Sequence, residues 1–231
     1  MKRLKDWTLS SVMLSLVSLT GLLALQGCVQ TTQEEFREAN TGIGEDQIIA
    51  ILRRASLMGE NTEQAFIDCV TERTAKGRDK IDVISNQEFI DTFFPWFEPR
   101  IAPTDIDKLK DIAHNDKIKD RLESLGIRYL VWIDGTTKRI NQNGSVQCAV
   151  ATGGIPACFG FLSWRAESVY EAVIWDVERS ISVGKLSSES KGMSFVPAVV
   201  IPIPFIARTQ SSACSSLADQ LKAFIEDGQE E

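Results

Sequence analysis

The sequence predicts an α/β fold of the α+β sandwich kind, one mixed sheet with helices packed on it, in the order β-α-β-α-α-β-β-β-α. Three observations carry this. Ile127 to Asp134 (IRYLVWID) and Val169 to Val177 (VYEAVIWDV) are dense in β-branched and aromatic residues, as strands are. Stretches of helical period surround them, closing on a stripe of Cys214, Leu217, Ala218, Leu221 and Ile225. Strand and helix signals are interspersed along one chain, which calls for a single sheet with helices against it.

The N-terminus stands apart from that fold. Lys2, Arg3 and Lys5 precede a mostly apolar run from Leu9 to Leu25, which ends in Leu25-Gln26-Gly27-Cys28. Basic, apolar and small-residue regions in that order are the anatomy of a secretory signal. The ending resembles the lipobox of bacterial lipoproteins, and the resemblance implies removal of residues 1–27 and acylation of Cys28. A plain transmembrane anchor is the alternative, but the run is short for a span of about 20 residues. Two or three acyl chains hold a protein on lipid durably where one does not. Val29, in place of an Asp, points to the outer membrane, with the chain facing the periplasm. Residues 28–41 read as a flexible tether, polar and without a period, leaving 42–231 as a single domain.

Within that domain, Gln47 to Leu52 is a short buried strand stopped by Arg53-Arg54. Asn61 and Gln64 form a capping-box pattern opening a helix with Ala65, Phe66, Cys69 and Val70 on one face, ending near Gly77. Lys80 to Ile84 is a second strand. Ser85 and Glu88 open a helix that runs through Phe94 and stops at Pro95. Another helix starts at Pro103-Thr104 with Ile106, Leu109 and Ile112 inward. It breaks near Asn115 and resumes with Ile118, Leu122 and Leu125, before Gly126 in a left-handed C′ position. The Ile127–Asp134 strand follows, with Ile127, Tyr129, Val131 and Ile133 on one face. Ser145 to Ser163 is rich in Gly and small residues. Val169–Val177 pairs back with Ile181–Leu186 as a hairpin. Gly192 to Ala207 holds Pro197, Pro202 and Pro204, which argue against a regular helix or central strand. A helix from Ser211 to Glu226 ends the fold.

This order resembles a group of envelope proteins that includes the curli secretion-channel protein CsgG, the penicillin-binding-protein activator LpoB and the N-terminal domain of TolB. The residues that carry the likeness are Leu125-Gly126-Ile127-Arg128-Tyr129-Leu130-Val131 before the central strand and Ala172-Val173-Ile174-Trp175-Asp176-Val177 entering the hairpin. The resemblance implies the same mixed sheet over most of Asp46 to Ile225. It also implies an accessory or assembly role, homo-oligomers included.

Composition narrows the partners. The precursor carries a net charge of −7, and loss of the basic signal leaves the mature chain more acidic still. With no Lys/Arg cluster, the sequence argues against nucleic acid and against an electrostatic grip on anionic lipid. Hydrophobic residues make up 43% of the chain, enough to bury a real core. Beyond Cys28 remain Cys69, Cys148, Cys158 and Cys214, an even set that suggests disulfides in an oxidising compartment. Three connectivities are open. Cys148 and Cys158 flank a Gly-Gly-Ile-Pro bend, so their ends meet at small loop-closure cost. Cys69 and Cys214 lie on the apolar stripes of the first and last helices and are expected to pair. The alternative is that both are free core thiols.

No catalytic elbow, P-loop or zinc-protease motif occurs, and no cofactor-binding pattern or metal-ligand set is expected, His114 being the lone histidine. Asp105 and Asp107 read as N-terminal helix charge rather than a catalytic pair. Two proline-punctuated apolar segments remain: Phe93 to Pro99, with Phe93, Phe94, Trp96 and Phe97, and Phe195 to Ala207, with Val200, Ile203 and Phe205. Either they fold over ends of the core, or they form a contact surface for a partner envelope protein or the membrane. The expected role is that of a membrane-anchored, non-enzymatic interaction module. A ring or pore-forming secretion subunit is the alternative, and would need paired strands of about ten alternating residues.

Overall fold

The computed structural model describes residues 29–54, 62–98, 101–113, 115–150 and 153–226. The described chain forms two units. The larger comprises Val29–Ile140, Ala166–Lys191 and the chain from Arg208 on; the smaller comprises Asn141–Arg165 and Gly192–Ala207. Sequence alone gives no sign of the division, because three of the four passages between units lie inside strands rather than linkers.

Among the described residues the elements are β1 (Val29–Arg37), β2 (Ile48–Arg53), α1 (Gln64–Thr74), β3 (Val83–Ile84), α2 (Asn86–Thr92), α3 (Ile106–Ala113), α4 (Asp116–Ser124), β4 (Ile127–Val150), β5 (Pro156–Asp176), β6 (Ile181–Pro202) and α5 (Thr209–Glu226). One sheet runs β1-β6-β5-β4-β2-β3, with β2 parallel to both β3 and β4. The fold is therefore the mixed α+β sandwich that the pattern predicts, with one strand more and with the third expected helix divided into two.

In the larger unit the sheet has a core on each face. Ile49, Ile51, Tyr129, Val131, Tyr170, Ile174 and Val183 pack with Phe66 and Val70 of α1 and Leu217, Leu221 and Phe224 of α5. Ala50, Leu52, Leu130, Trp132 and Trp175 turn the other way, onto Phe89, Leu109, Ile118 and Leu122 of α2, α3 and α4. Alternation along β2 and β4 dictates this sorting. Ile127 is the exception. Ile48 lies opposite Ile127 and Ile49 opposite Tyr129, so Arg128 is an extra residue and Ile127 joins the second core.

Several caps form as the residue types require. Ser85 accepts from Glu88 N at 3.4 Å, and Asn115 caps α4 by accepting from Lys117 N at 3.1 Å. Gly126 has φ +67°, and a Cβ there would lie 2.4 Å from the Asp46 carbonyl oxygen, so the position admits only glycine. The expected Asn61 cap lies outside the described residues; α1 starts after Glu63, which makes no side-chain cap.

Three expectations are corrected. Residues 29–37 of the expected tether form the edge strand β1. Its inward side chains meet hydroxyls rather than hydrocarbon: Thr31 Oγ1 lies 2.8 Å from Ser190 Oγ and 2.9 Å from Ser212 Oγ, and Gln33 Nε2 donates to Ser216 Oγ at 2.7 Å. A polar seam leaves no hydrophobic period to read. Strands β4 and β5 extend far past Asp134 and far before Val169, through a region where most side chains are exposed and alternation has nothing to sort. Strand β6 includes Pro197 and Pro202, contrary to the expectation from proline. There the chain folds back on itself: Phe195 and Phe205 exchange backbone bonds at 2.9 and 2.8 Å, and Ile203 N donates to Pro197 O at 3.0 Å. The ladder uses the Pro197 carbonyl and needs no N–H from it.

Candidate functional site

The smaller unit gathers most of the exposed apolar side chains. Among the described residues, only Phe36, Phe94, Ile101 and Val169 of the exposed large hydrophobics lie outside it. It is built from the β4–β5 hairpin, β6 and the returning chain. The Cys148–Cys158 bridge, with Cα atoms 4.0 Å apart, places these two residues opposite each other. A Cβ on Gly160 would sit 2.3 Å from the Ser145 carbonyl oxygen, so the two strands close together at a spot where only glycine fits. Phe161 stacks on Phe195 with centroids 6.2 Å apart, and Phe195 on Phe205 at 4.8 Å, a row of three rings across neighbouring strands. Around this row Phe159, Met193, Val199, Ile201 and Ile203 face solvent, Val199 being 80% exposed.

The two segments expected to form a contact surface separate. Phe93 and Phe97 are 1% and 2% exposed and cluster with Phe89 at ring distances of 4.5, 4.8 and 5.7 Å. Trp96 packs against the same core, and only Phe94 faces out. This segment closes the end of the second core, so its aromatics are structural; Pro99 lies outside the described residues. In the other segment Val200 and Ile203 are exposed and Phe205 is half-buried in the ring row. The remaining apolar face draws on β5 as well, through Phe159 and Phe161. Sequence reasoning missed these two because they sit in a Gly-rich stretch without alternation. The absence of charge around them is the signal that could have found them.

Both expected disulfides form. Cys69 of α1 and Cys214 of α5 have Cα atoms 6.3 Å apart, joining helices that pack along each other. Cys28 and His114 lie outside the described residues.

The larger unit holds polar groups that bind its own elements. Tyr170 OH donates to Glu63 Oε2 at 2.7 Å and lies 2.9 Å from Thr137 Oγ1, which reaches Ser168 Oγ at 2.8 Å. Burial, with the Glu63 carboxylate beside it, pushes the Tyr170 hydroxyl up to about 12, so it remains a donor and not a base. Buried Asp176 is held by Arg128 at 2.8 Å and Arg179 at 2.6 Å, and Arg128 also pairs with Glu178. Arg128 and Glu178 border a cleft of about 640 Å³ whose other charges, Lys119 with Glu123 among them, occur in both signs. Asp105 accepts from Lys108 N at 2.9 Å, which holds its carboxyl below the ordinary range, and Asp107 pairs with Lys110 at 3.0 Å. Both serve the start of α3. No group of three or more His, Cys, Asp or Glu side chains among the described residues is placed to hold a metal ion.

No protein-family model matches the chain, and no curated protein does. Among solved structures the chain is similar to the PelC dodecamer from Paraburkholderia phytofirmans, at 12% identity and TM-score 0.37, over 85% of this chain and 98% of that one. A singly substituted form of the same dodecamer gives 11% identity and TM-score 0.36, over 87% and 99%. Superposition at this level establishes neither a shared fold nor a shared role.

Proposed function

We propose that this chain is a membrane-anchored envelope lipoprotein that works by contact rather than catalysis, with the apolar face of its smaller unit as the working surface. The observation that carries the reading is the concentration of exposed apolar side chains in one small β unit whose own fold leaves them uncovered. Monomeric proteins rarely leave large contiguous apolar patches in water unless they serve an interaction. Acylation at Cys28 would restrict that surface to a membrane face, and the two disulfides suit an oxidising envelope compartment. The likeness in element order to the CsgG, LpoB and TolB N-terminal group fits an accessory role.

A ring or pore-forming role is the second reading, and the long paired strands of the smaller unit favour it. Along β4, Asn141, Asn143, Ser145 and Gln147 fall on one face, and Val146, Cys148 and Val150 on the other. That alternation is what a lipid-facing barrel strand shows; against the reading stand Pro156 and Gly160 in β5 and Pro197 and Pro202 in β6, which interrupt the partner strands.

The test is photo-crosslinking in intact cells from a benzoylphenylalanine placed at Ile203. An adduct is expected, and Val199→Asp with Ile201→Asp should erase it while leaving the melting temperature unchanged. No adduct, or one that survives the double substitution, would remove the contact reading.

A further inference from the structure

We infer that the occupant of this apolar face is a phospholipid bilayer surface: the uncharged strands enter its interfacial layer, and the exposed bases Arg165 and Arg208 meet lipid phosphates. The inference rests on the contact reading above and names what is contacted.

The first argument is where charge is absent. From Asn141 to Trp164 and from Gly192 to Ala207 there is no Asp, Glu, Lys, Arg or His, although 25% of the whole chain is Asp, Glu, Lys or Arg. A surface for a protein partner keeps a polar, charged rim that fixes register and rejects wrong partners. A surface that enters lipid excludes charge, because taking an unpaired charge out of water is costly.

The second argument is where charge returns. The chain passes between the units four times, and every passage carries a base. Lys138 and Arg139 precede Asn141, Arg165 ends the first segment, Lys191 precedes Gly192, and Arg208 follows Ala207. Arg165 and Arg208 are exposed, while Lys191 is shared with Glu167 at 3.1 Å and Glu189 at 2.6 Å. Long basic side chains can lay their stems on apolar surface and set their heads at phosphate level. These bases are scattered in sequence. Composition therefore shows no basic cluster, and the acidic total argues against lipid.

The third argument concerns the backbone. An apolar medium penalises unpaired N–H and C=O groups. In the segment richest in exposed aliphatics, Pro197, Pro202 and Pro204 carry no N–H, and Phe195, Pro197, Ile203 and Phe205 are tied in the fold-back ladder. The polar face of β4 limits the depth. The unit seats in the interface and does not span.

The test uses the full-length chain, reconstituted in phosphatidylcholine vesicles, with benzoylphenylalanine at Val199 or, as control, at Asp111 of α3. A phospholipid adduct mapped by mass spectrometry is expected at position 199 and not at 111. Arg165→Glu with Arg208→Glu should lower its yield several-fold without changing the melting temperature. An unchanged yield overturns the phosphate contacts. No lipid adduct, or an adduct to a second copy of the chain, while Ile203 still gives a protein adduct in cells, overturns the lipid occupant and leaves the contact reading standing. Absence of both adducts removes the two together.

Discussion

At the residue scale, burial separates side chains that composition treats alike. Phe93 and Val199 are both apolar residues in proline-flanked stretches, yet one closes a core and the other faces water. Phe93→Ala is expected to cost about 3–5 kcal/mol, the range for deleting a buried aromatic, whereas Ile203→Ser should stay within about 0.5 kcal/mol. Denaturant titration of the two variants checks this, and equal costs would contradict the assignment. Tyr170 gives a pH test. Its folded-state value, about 12, stands above the 10 of a free tyrosine, so the neutral hydroxyl contributes stability fully below pH 10. That contribution fades as pH rises from 10 to 12 and amounts to about 2–3 kcal/mol. Tyr170→Phe should flatten the fall in stability over this window; parallel curves for the two proteins would contradict it. None of this was legible in the sequence. A run such as FFPWF states that apolar area exists, and only the tertiary contacts state where it goes.

At the element scale, the sequence is readable wherever one face of an element is buried and the other is not. The faces of β2, the break at Asn115 and the left-handed Gly126 all follow from local chemistry. Strand β1 does not, because Thr31 and Gln33 meet the hydroxyls of Ser190, Ser212 and Ser216, and a hydroxyl seam has no hydrophobic period. The outer halves of β4 and β5 escape for a related reason, with no buried face to impose alternation. The disulfides lie between these cases: spacing suggested one bridge, and matching helix stripes the other. On loop entropy the Cys69–Cys214 bridge, closing 145 residues, is worth about 5 kcal/mol, and Cys148–Cys158, closing 10, about 3 kcal/mol. Peptide mapping of the non-reduced protein should return these two linked pairs. Four free thiols in protein taken from the periplasm would contradict both bridges.

At the scale of the whole molecule, the larger unit buries most of its own apolar side chains. Its sheet is covered on both faces, and Arg37 closes the last helix by donating to Phe224 O at 2.9 Å. The smaller unit does the opposite, leaving an uncharged apolar face in water, and the central claim is that something covers this face in the cell. Hydroxyl-radical labelling of intact cells and of the purified protein tests that without any substitution. Phe159, Met193 and Ile203 should label far more slowly in cells than in the purified chain, while exposed Phe94 and Ile101 of the larger unit label alike in both. Equal cell-to-purified ratios for the two sets would show the face uncovered in the cell and would contradict the account.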